Sequence, residues 1–379
     1  MLLAIMAGCS AAEQAELQPA PWEGAELQRD VNIGVAEGQA ELMFGGVTAL
    51  ATSPDGTIYV ADSAPLVIRR YSSEGEYLGD LGREGEGPGE YARIAGLAAR
   101  PDQGVVVWDH GNQRLTAFND DGTVAWSTRA ASTFMLDGLT VDDEGAVHLA
   151  ASEGQVDDTT RRYFMRRYTS AGEEDGEIDL PTAEPAAPGY MTLDMIRSEV
   201  ASFETGLLQA WSPRGYLISG QNDGYHVIVD RPDTPLVLQR GIDPSAIGEA
   251  ERAEIAQQID WLQARFATMG REIGADPIPA TKPYFQAIDV GRDGKIWLRR
   301  YAEAVFRADV PDNAPDQPPV RRWLEPTVYD VWEPEGTFLG TLRFPDGVVV
   351  RETRGDQIWG TETDATGVQR VVSYRIVPE

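Results

Sequence analysis

The sequence repeats one short pattern about six times, and this repetition restricts the possible folds more than any other feature. The segment 49–62 contains an apolar stretch, a turn at Pro54 and Asp55, and a second apolar stretch that ends at Asp62. The segment 96–109 has the same organisation and ends at Asp109. Weaker copies occupy 138–150, 207–219, 287–298 and 348–360. Self-similarity at a spacing of some tens of residues indicates a repeat architecture.

Each repeat continues into a second hairpin pattern, in which β-branched and aromatic residues flank a Gly-containing turn. These patterns occupy 68–78, 115–126, 164–178 and 329–339. Two hairpins give four antiparallel strands, which form one blade of a β-propeller. The sequence therefore predicts an all-β, six-bladed β-propeller over residues 25–379. The last repeat, near 371–377, lacks a fourth strand, and we expect a strand near 26–35 to complete that blade and close the ring.

The first two repeats carry a more specific pattern. The segment 87–91 reads Gly-Pro-Gly-Glu-Tyr, and 109–115 reads Asp-His-Gly-Asn-Gln-Arg-Leu. These segments resemble the NHL repeat, and the resemblance extends over about 49–126. It implies the propeller fold. It does not imply one activity, because NHL-repeat proteins include enzymes, protein-binding modules and sensors.

The extreme N-terminus is a short apolar run that ends in Ala-Gly-Cys, and Cys9 is the only cysteine in the chain. This stretch resembles the lipobox of bacterial lipoproteins. The resemblance implies cleavage after residue 8, a lipid on the Cys9 thiol, and residence on the periplasmic or outer side of a bacterial membrane. Ser10 after the cysteine favours the outer membrane. The polar segment 9–24 is then a flexible tether, whereas the alternative is an apolar N-terminus with an incidental thiol.

The charge balance excludes one class of partner. The chain has 61 acidic and 32 basic residues and a net charge of −29. Nucleic-acid binding depends on clustered Lys and Arg, so no nucleic-acid partner is expected. The acidic surface is typical of a soluble protein, and the alternative is a site for a cationic ligand or a metal. The sequence contains no transmembrane segment, so membrane attachment would depend on the lipid alone, and we expect a monomer.

Long insertions are expected on one face of the propeller. In a four-stranded blade, the link between the middle strands and the link to the next blade emerge on the same side. The segments 152–162, 181–202, 243–282 and 307–323 all occupy such links. Loops of this kind on a rigid scaffold are where binding usually occurs. We therefore predict a partner-binding face with Tyr190, Trp261 and Trp323 as aromatic anchors.

One of these insertions has a helical pattern. Asp243 and Pro244 are typical of a helix start, and the segment ends near Gly270 within a helical insertion of about 243–275. Apolar residues recur at helical spacing, namely Ile255, Ile259, Leu262 and Phe266. Such a stripe is expected to pack on the propeller rather than to bind a ligand.

The ends of the second strands are the candidate ligand positions at the channel mouth. Around the ring these positions are Asp62, Asp109, Ala151, Gln221, Arg300 and Glu362. Asp62, Asp109 and Glu362 could hold calcium through carboxylate oxygens. The alternative for Asp62 and Asp109 is a structural bond to the following turn, and Arg300 would repel a cation. The histidines His110, His148 and His226 fall in a turn, a mid-strand and an outer strand, so they do not form a zinc site.

No nucleophile, base and orienting residue can be assembled from the sequence, so the catalytic residues are unknown. The preferred interpretation is a non-catalytic scaffold that binds a protein or a small-molecule ligand through its insertion-bearing face, without a cofactor. The alternative is a metal-assisted hydrolase or lyase that acts on a small or sugar-like substrate at the channel mouth.

Overall fold

The computed structural model describes residues 20–102, 104–130, 138–153, 162–181, 203, 205–270, 277–314, 317–364 and 366–378. Within these residues the main strands form six four-stranded antiparallel sheets, and there is one α-helix. The prediction of an all-β, six-bladed propeller is confirmed. No helix among the described residues is long and apolar enough to cross a membrane.

The first three blades follow one another along the chain, and in each the strands pair in sequence order. Blade 1 comprises Val47–Thr52, Ile58–Ser63, Leu66–Tyr71 and Tyr77–Leu81. Blade 2 comprises Ile94–Ala99, Val105–Asp109, Arg114–Phe118 and Val124–Arg129. Blade 3 comprises Leu139–Val141, Val147–Glu153, Arg162–Tyr168 and Glu174–Asp179.

The last three blades have the same plan, except that blade 6 takes its outermost strand from the N-terminus. Blade 4 comprises Leu207–Trp211, Leu217–Gln221, His226–Val229 and Leu236–Gln239. Blade 5 comprises Phe285–Val290, Ile296–Arg300, Val328–Trp332 and Phe338–Arg343. Blade 6 comprises Val348–Arg354, Gln357–Thr363, Gln369–Val377 and Glu26–Ile33. The strand Glu26–Ile33 pairs antiparallel with Gln369–Val377, so the predicted ring closure is confirmed.

Apolar side chains on the blade faces form the core between neighbouring blades. The first strands of the blades surround a central channel, and those of blades 1 and 2, 2 and 3, 4 and 5, and 6 and 1 contact one another. Buried apolar clusters join blades 1 and 2, 2 and 3, 4 and 5, 5 and 6, and 6 and 1. Among the described residues, no such cluster joins blades 3 and 4. The tight turns between first and second strands contain glycines such as Gly56 and Gly294, whose positive φ angles of 91° and 85° disfavour other residues.

The additional elements are short, apart from the helix. They are the 3-10 turn Ala40–Leu42, the parallel pair Arg83–Glu84 and Glu90–Tyr91, and the antiparallel pair Val305–Phe306 and Trp323–Leu324. The helix, α1, spans Glu249–Thr268. It begins later than predicted, because the Ile247 amide donates to the Ala280 carbonyl and the Lys282 amide donates to the Ser245 carbonyl. These bonds hold the chain that precedes α1 in an extended conformation, so Asp243 does not cap the helix.

The insertions and the N-terminus lie on opposite faces. The segments 243–282 and 307–323 emerge where second strands end, and we call this side the insertion-bearing face. Glu26, the first residue of the closing strand, pairs with Val377, the last residue of its neighbour, at the tight-turn face. Within the predicted tether, residues 20–24 form an ordered turn. The Trp22 amide donates to the Leu339 carbonyl at 2.6 Å, and the Trp22 ring lies 6.2 Å from that of Trp297.

Candidate functional site

Asp62 is a structural anchor of blade 1. Its carboxylate is fully buried, and its oxygens accept hydrogen bonds from the Gly45 and Gly46 amides at 3.1 and 2.8 Å. The Ala64 amide also donates to it at 3.1 Å, and the Arg69 guanidinium lies at 2.8 Å. Because these donors surround both oxygens, Asp62 fastens the loop that enters blade 1 to the turn that leaves its second strand.

Asp109 has the same role in blade 2, without a cation. The amides of Ala92 and Arg93, from the loop that enters the blade, donate to its carboxylate at 3.0 and 2.9 Å. On the following turn, the Gly111 amide donates at 3.0 Å and the Asn112 side-chain amide at 2.7 Å. The structural interpretation of these two aspartates is therefore the one that their contacts support.

The equivalent residue in blade 4 is Asn222, which the sequence reasoning missed by one position. Its side-chain oxygen accepts from the Gly206 amide at 2.8 Å, and its side-chain amide donates to the Phe285 carbonyl at 3.0 Å. The predicted candidate, Gln221, is exposed at the end of its strand. The turn sequence Asn-Asp-Gly at 222–224 is the signal that could have identified the anchor.

Arg300 and Glu362 form ion pairs within their own blades. Arg300 lies 3.6 Å from the carboxylate of Asp330, which also pairs with Arg240 at 2.7 Å. Glu362 lies 2.6 Å from Arg29 of the closing strand. The structure does not bring Asp62, Asp109 and Glu362 together. No group of three His, Cys, Asp or Glu side chains in the described part of the chain is placed to hold a metal ion.

Among the three histidines, His148 contacts the neighbouring blade. Its Nε2 lies 3.0 Å from the Asp142 carboxylate, and its ring lies 5.3 Å from that of Trp211 in blade 4. Burial lowers the pKa of His148, and the nearby Asp142 opposes this effect. A neutral ring that donates through Nε2 agrees with this environment.

One arginine spans the channel at the tight-turn face. The Arg292 guanidinium, from the first turn of blade 5, donates to the Ala99 carbonyl at 2.6 Å and to the Val141 carbonyl at 3.3 Å. These carbonyls belong to the last residues of the innermost strands of blades 2 and 3. Arg292 therefore connects three blades across the channel floor, an arrangement that no repeat pattern predicts.

A cavity of about 480 Å³ lies above this floor and extends between blades 3 and 4. Its walls combine polar and apolar groups in similar proportion, and the apolar part includes Leu139, Met165, Leu207, Leu208, Trp211, Ile288 and Val350. Three charged residues of the innermost strands of blades 5 and 6, Asp289, Arg351 and Glu352, line the same space. Burial raises the pKa of both Asp289 and Glu352. A cavity of this size that combines apolar walls with a few charged groups can accommodate a small molecule.

On the insertion-bearing face, a buried ionic cluster fixes α1 to blade 5. The Lys282 ammonium is fully buried and lies 2.8 Å from Glu251 of the helix and 3.2 Å from Glu325. It also donates to the Ala302 carbonyl at 2.9 Å. Burial raises the pKa of Glu325, and the charge of Lys282 opposes this effect. In the predicted apolar stripe of α1, Ile255 and Leu262 are buried, each 1% exposed, whereas Ile259 and Phe266 are half-buried.

Beside the helix lies a groove of about 670 Å³, which we call the α1 groove. One wall is α1, with Glu254, Gln257 and Trp261, and the other wall is formed by Asp312, Asn313, Gln317, Pro318, Pro319 and Arg322. The Glu254 carboxylate accepts from the amides of Arg322 and Trp323 at 2.8 and 3.1 Å. The Gln258 side chain donates to the Pro319 carbonyl at 3.0 Å. These bonds hold both walls in a defined position.

The predicted aromatic anchors have different surroundings. Trp261 lines the α1 groove, with the Arg265 guanidinium 5.3 Å from its ring. Trp323 lies in the antiparallel pair Val305–Phe306 and Trp323–Leu324, and its ring centroid lies 5.5 Å from that of Phe306, which is 51% exposed. Tyr190 lies outside the described residues. Two of the three predicted anchors are therefore placed on the insertion-bearing face.

Together these features define a class: a six-bladed β-propeller with one elaborated face and a ligand-sized cavity in its channel. The sequence matches no family model and no curated protein. Two solved structures share the fold, each with a TM-score of 0.50: a DUF4221 family member from Bacteroides vulgatus and a Bacteroides fragilis protein designated as exported. They are 10% and 8% identical to this chain and cover 95% of it, and the chain covers 100% and 97% of theirs.

The structure of an enzyme is also similar, with a lower TM-score. Virginiamycin B lyase from Staphylococcus aureus, solved in a catalytically inactive form with quinupristin, has a TM-score of 0.42 and 11% identity. The alignment covers 93% of this chain and 100% of the lyase. At identities this low, the two similarities with a TM-score of 0.50 establish the fold alone.

Proposed function

We propose that this chain is an extracytoplasmic, lipid-anchored β-propeller that binds a protein or small-molecule ligand through its insertion-bearing face and catalyses no reaction. The α1 groove is the observation that carries the proposal. Its walls come from two separate insertions, and each wall is fixed by hydrogen bonds to the other. A concave surface that is held in place before binding loses little conformational entropy when a partner docks.

The position of the N-terminus supports this arrangement. The described chain enters the ring at the tight-turn face, where Trp22 packs on blade 5. A lipid on Cys9 would therefore attach the protein to the membrane from the side opposite the α1 groove. The insertion-bearing face would then point toward soluble partners. The exported designation of the Bacteroides fragilis structure agrees with this location.

The acidic residues at the second-strand ends are engaged in contacts within their own blades, which argues against metal-dependent chemistry at this position. Asp62 and Asp109 each accept several backbone hydrogen bonds, and Glu362 pairs with Arg29. A calcium ion needs several oxygen ligands that converge on one point. Carboxylates that already hold separate loops in separate blades do not offer such a set.

The binding test is a comparative capture from envelope extracts followed by reconstitution. Wild type, Trp261→Ala and Arg322→Ala are compared with the matched control Trp126→Ala, which alters a tryptophan on an outer strand of blade 2. We expect a partner that the wild type and the control retain and that both groove variants lose. The purified partner should then bind the wild type at least about tenfold more tightly than Trp261→Ala, the effect of losing a typical anchor residue. Equal retention by all four proteins would contradict the proposal.

Two further measurements test the other parts of the proposal. Metabolic labelling with a fatty acid should mark wild type and not Cys9→Ala, and label on the variant would exclude the anchor. Thermal melts with EDTA and with calcium should coincide. A calcium-dependent rise in Tm that Asp109→Asn abolishes would instead support the hydrolase or lyase interpretation, because a ligand of the native state raises its stability.

A further inference from the structure

The cavity between blades 3 and 4 contains an acidic residue, Asp289, whose carboxylate has no ion-pair partner within 4.0 Å among the described residues. Glu352, which also lines the cavity, and Arg292, at the channel floor, both have structural partners. Arg292 donates to two backbone carbonyls across the channel. Glu352 accepts from the Thr52 amide at 3.0 Å and from the Thr52 hydroxyl, which joins blade 6 to blade 1.

Asp289 differs from these groups. Its Oδ2 accepts one hydrogen bond, from the Tyr329 hydroxyl at 3.1 Å. No Lys, Arg or His nitrogen lies within 4.0 Å of its carboxylate in the described part of the chain. The fully buried carboxylates of Asp62 and Asp330 each have an arginine, at 2.8 and 2.7 Å. Asp289 thus faces the channel with an oxygen that the protein leaves available.

The surroundings of Asp289 restrict what can bind there. Leucine, valine, isoleucine, methionine and tryptophan side chains line part of the cavity, beside polar groups, and no group of three His, Cys, Asp or Glu side chains in the described part of the chain is placed to hold a metal ion. A ligand with an apolar body gains free energy by covering these walls. A single positive group on that ligand would face the Asp289 carboxylate, and a hydrogen bond between two charged groups is stronger than one between neutral groups.

We propose that this cavity is a second ligand site, separate from the α1 groove, for a small apolar molecule that carries one protonated amine. The amine donates to the free oxygen of Asp289, and the apolar body lies along Leu207, Leu208 and Trp211. Burial raises the pKa of Asp289 in the empty cavity, and a bound cation would favour its ionised form. The net charge of −29 adds a general attraction for cations, for which the test must control.

An anionic ligand is the main competitor. Arg299 and Arg351 carry positive charge near the Tyr329 hydroxyl, and Arg351 lines the cavity. A carboxylate ligand would bind to these groups rather than to Asp289. The two proposals therefore predict opposite responses when the charge of Asp289 is removed.

The test measures binding of three matched probes by titration calorimetry: 4-phenylbutylamine, 4-phenylbutanol and 4-phenylbutanoic acid. They share an apolar body and differ in the charge of the end group. The variant is Asp289→Asn, which retains an oxygen for the Tyr329 hydroxyl. The control is Asp233→Asn, which removes the same charge from a side chain that is 80% exposed outside the cavity.

The expected result is that the amine binds wild type about tenfold more tightly than the alcohol, as one charged hydrogen bond allows. Asp289→Asn should abolish this preference at an unchanged Tm, and Asp233→Asn should preserve it. Tighter binding of the acid, an amine preference that persists in Asp289→Asn, or no saturable binding of any probe would each overturn the proposal. Failure of the α1 groove variants would not affect these titrations, so the two sites are tested separately.

Discussion

The interface between blades 1 and 2 and the interface between blades 3 and 4 are formed by strands at equivalent positions, but they are packed differently. In the first, a continuous buried cluster includes Tyr59, Leu81, Tyr91 and Phe118, each no more than 1% exposed. In the second, the described residues form a cavity of about 480 Å³ and one ring contact, between His148 and Trp211. Both His148 and Trp211 have a buried ring nitrogen without a hydrogen-bond partner among the described residues.

This difference separates stability from function within one ring. A closed propeller distributes its stability over several interfaces, so one interface can be left less well packed. Removing atoms from a well-packed interface breaks many van der Waals contacts and lowers stability. An interface that borders a cavity has fewer such contacts to lose. The same cavity provides the space that a ligand needs. The following predictions compare the two regions, from the largest expected effect to the smallest.

The largest effect is expected at the loop anchors. Asp62→Ala should lower the free energy of unfolding by about 3–5 kcal/mol, because it leaves Arg69, 4% exposed, without its ion partner. Asn222→Ala, at the equivalent position in blade 4, removes neutral hydrogen bonds and should cost about 1–3 kcal/mol. Urea denaturation of both variants gives the comparison. An equal loss would show that the charge at Asp62 adds nothing to its backbone bonds.

Truncation of a leucine should have unequal effects in the two interfaces. Leu81→Ala removes a fully buried side chain from the cluster of blades 1 and 2, and should cost about 2–5 kcal/mol. Leu207→Ala enlarges an existing cavity and should cost under about 1 kcal/mol, because its side chain is only partly buried. Urea denaturation of both variants measures the difference in unfolding midpoint. Similar midpoints would contradict the proposed difference in packing between the two interfaces.

Enlarging a side chain should also destabilise the packed interface more than the interface with the cavity. Ala99→Leu, in the packed cluster, should cost about 1–3 kcal/mol through steric strain. Ala210→Leu, at a half-buried position that lines the cavity and borders the cluster of blades 4 and 5, should cost less than Ala99→Leu, under about 1 kcal/mol. It should also weaken the binding of 4-phenylbutylamine. Destabilisation of Ala210→Leu to the level of Ala99→Leu would show that the cavity is not available to a ligand.

The smallest effect concerns pH. Burial lowers the pKa of His148 below its usual value of 6.5, so the unfolded chain binds this proton more readily than the folded protein. The resulting stability is complete above pH 6.5 and is lost as the pH falls toward the folded pKa. Melts of wild type between pH 7 and 5 should therefore fall more steeply than those of His148→Gln. His226→Gln, at an exposed position, is the control and should follow the wild type.

The sequence predicted the features that repeat and missed those that do not. Alternating apolar residues and Gly-containing turns recur in every blade, so strand number and ring closure could be predicted. The anchors Asp62 and Asp109 were found because they occupy equivalent positions, whereas Asn222 is shifted by one residue. The start of α1 was misplaced because the pairing of Ile247 with Ala280 joins distant segments. Asp289 and Arg292 were missed because their importance depends on residues across the channel.

Hydrogen exchange of the backbone amides, followed by mass spectrometry, tests the central contrast most directly. Amides in well-packed elements exchange only through large openings, and those beside cavities exchange through smaller ones. The innermost strands Ile94–Ala99 and Leu207–Trp211 have equivalent positions in their blades and provide a matched pair. We predict that Leu207–Trp211 exchanges faster than Ile94–Ala99 and becomes slower when 4-phenylbutylamine is added. Equal exchange of the two strands, unaffected by the amine, would contradict this account of the propeller.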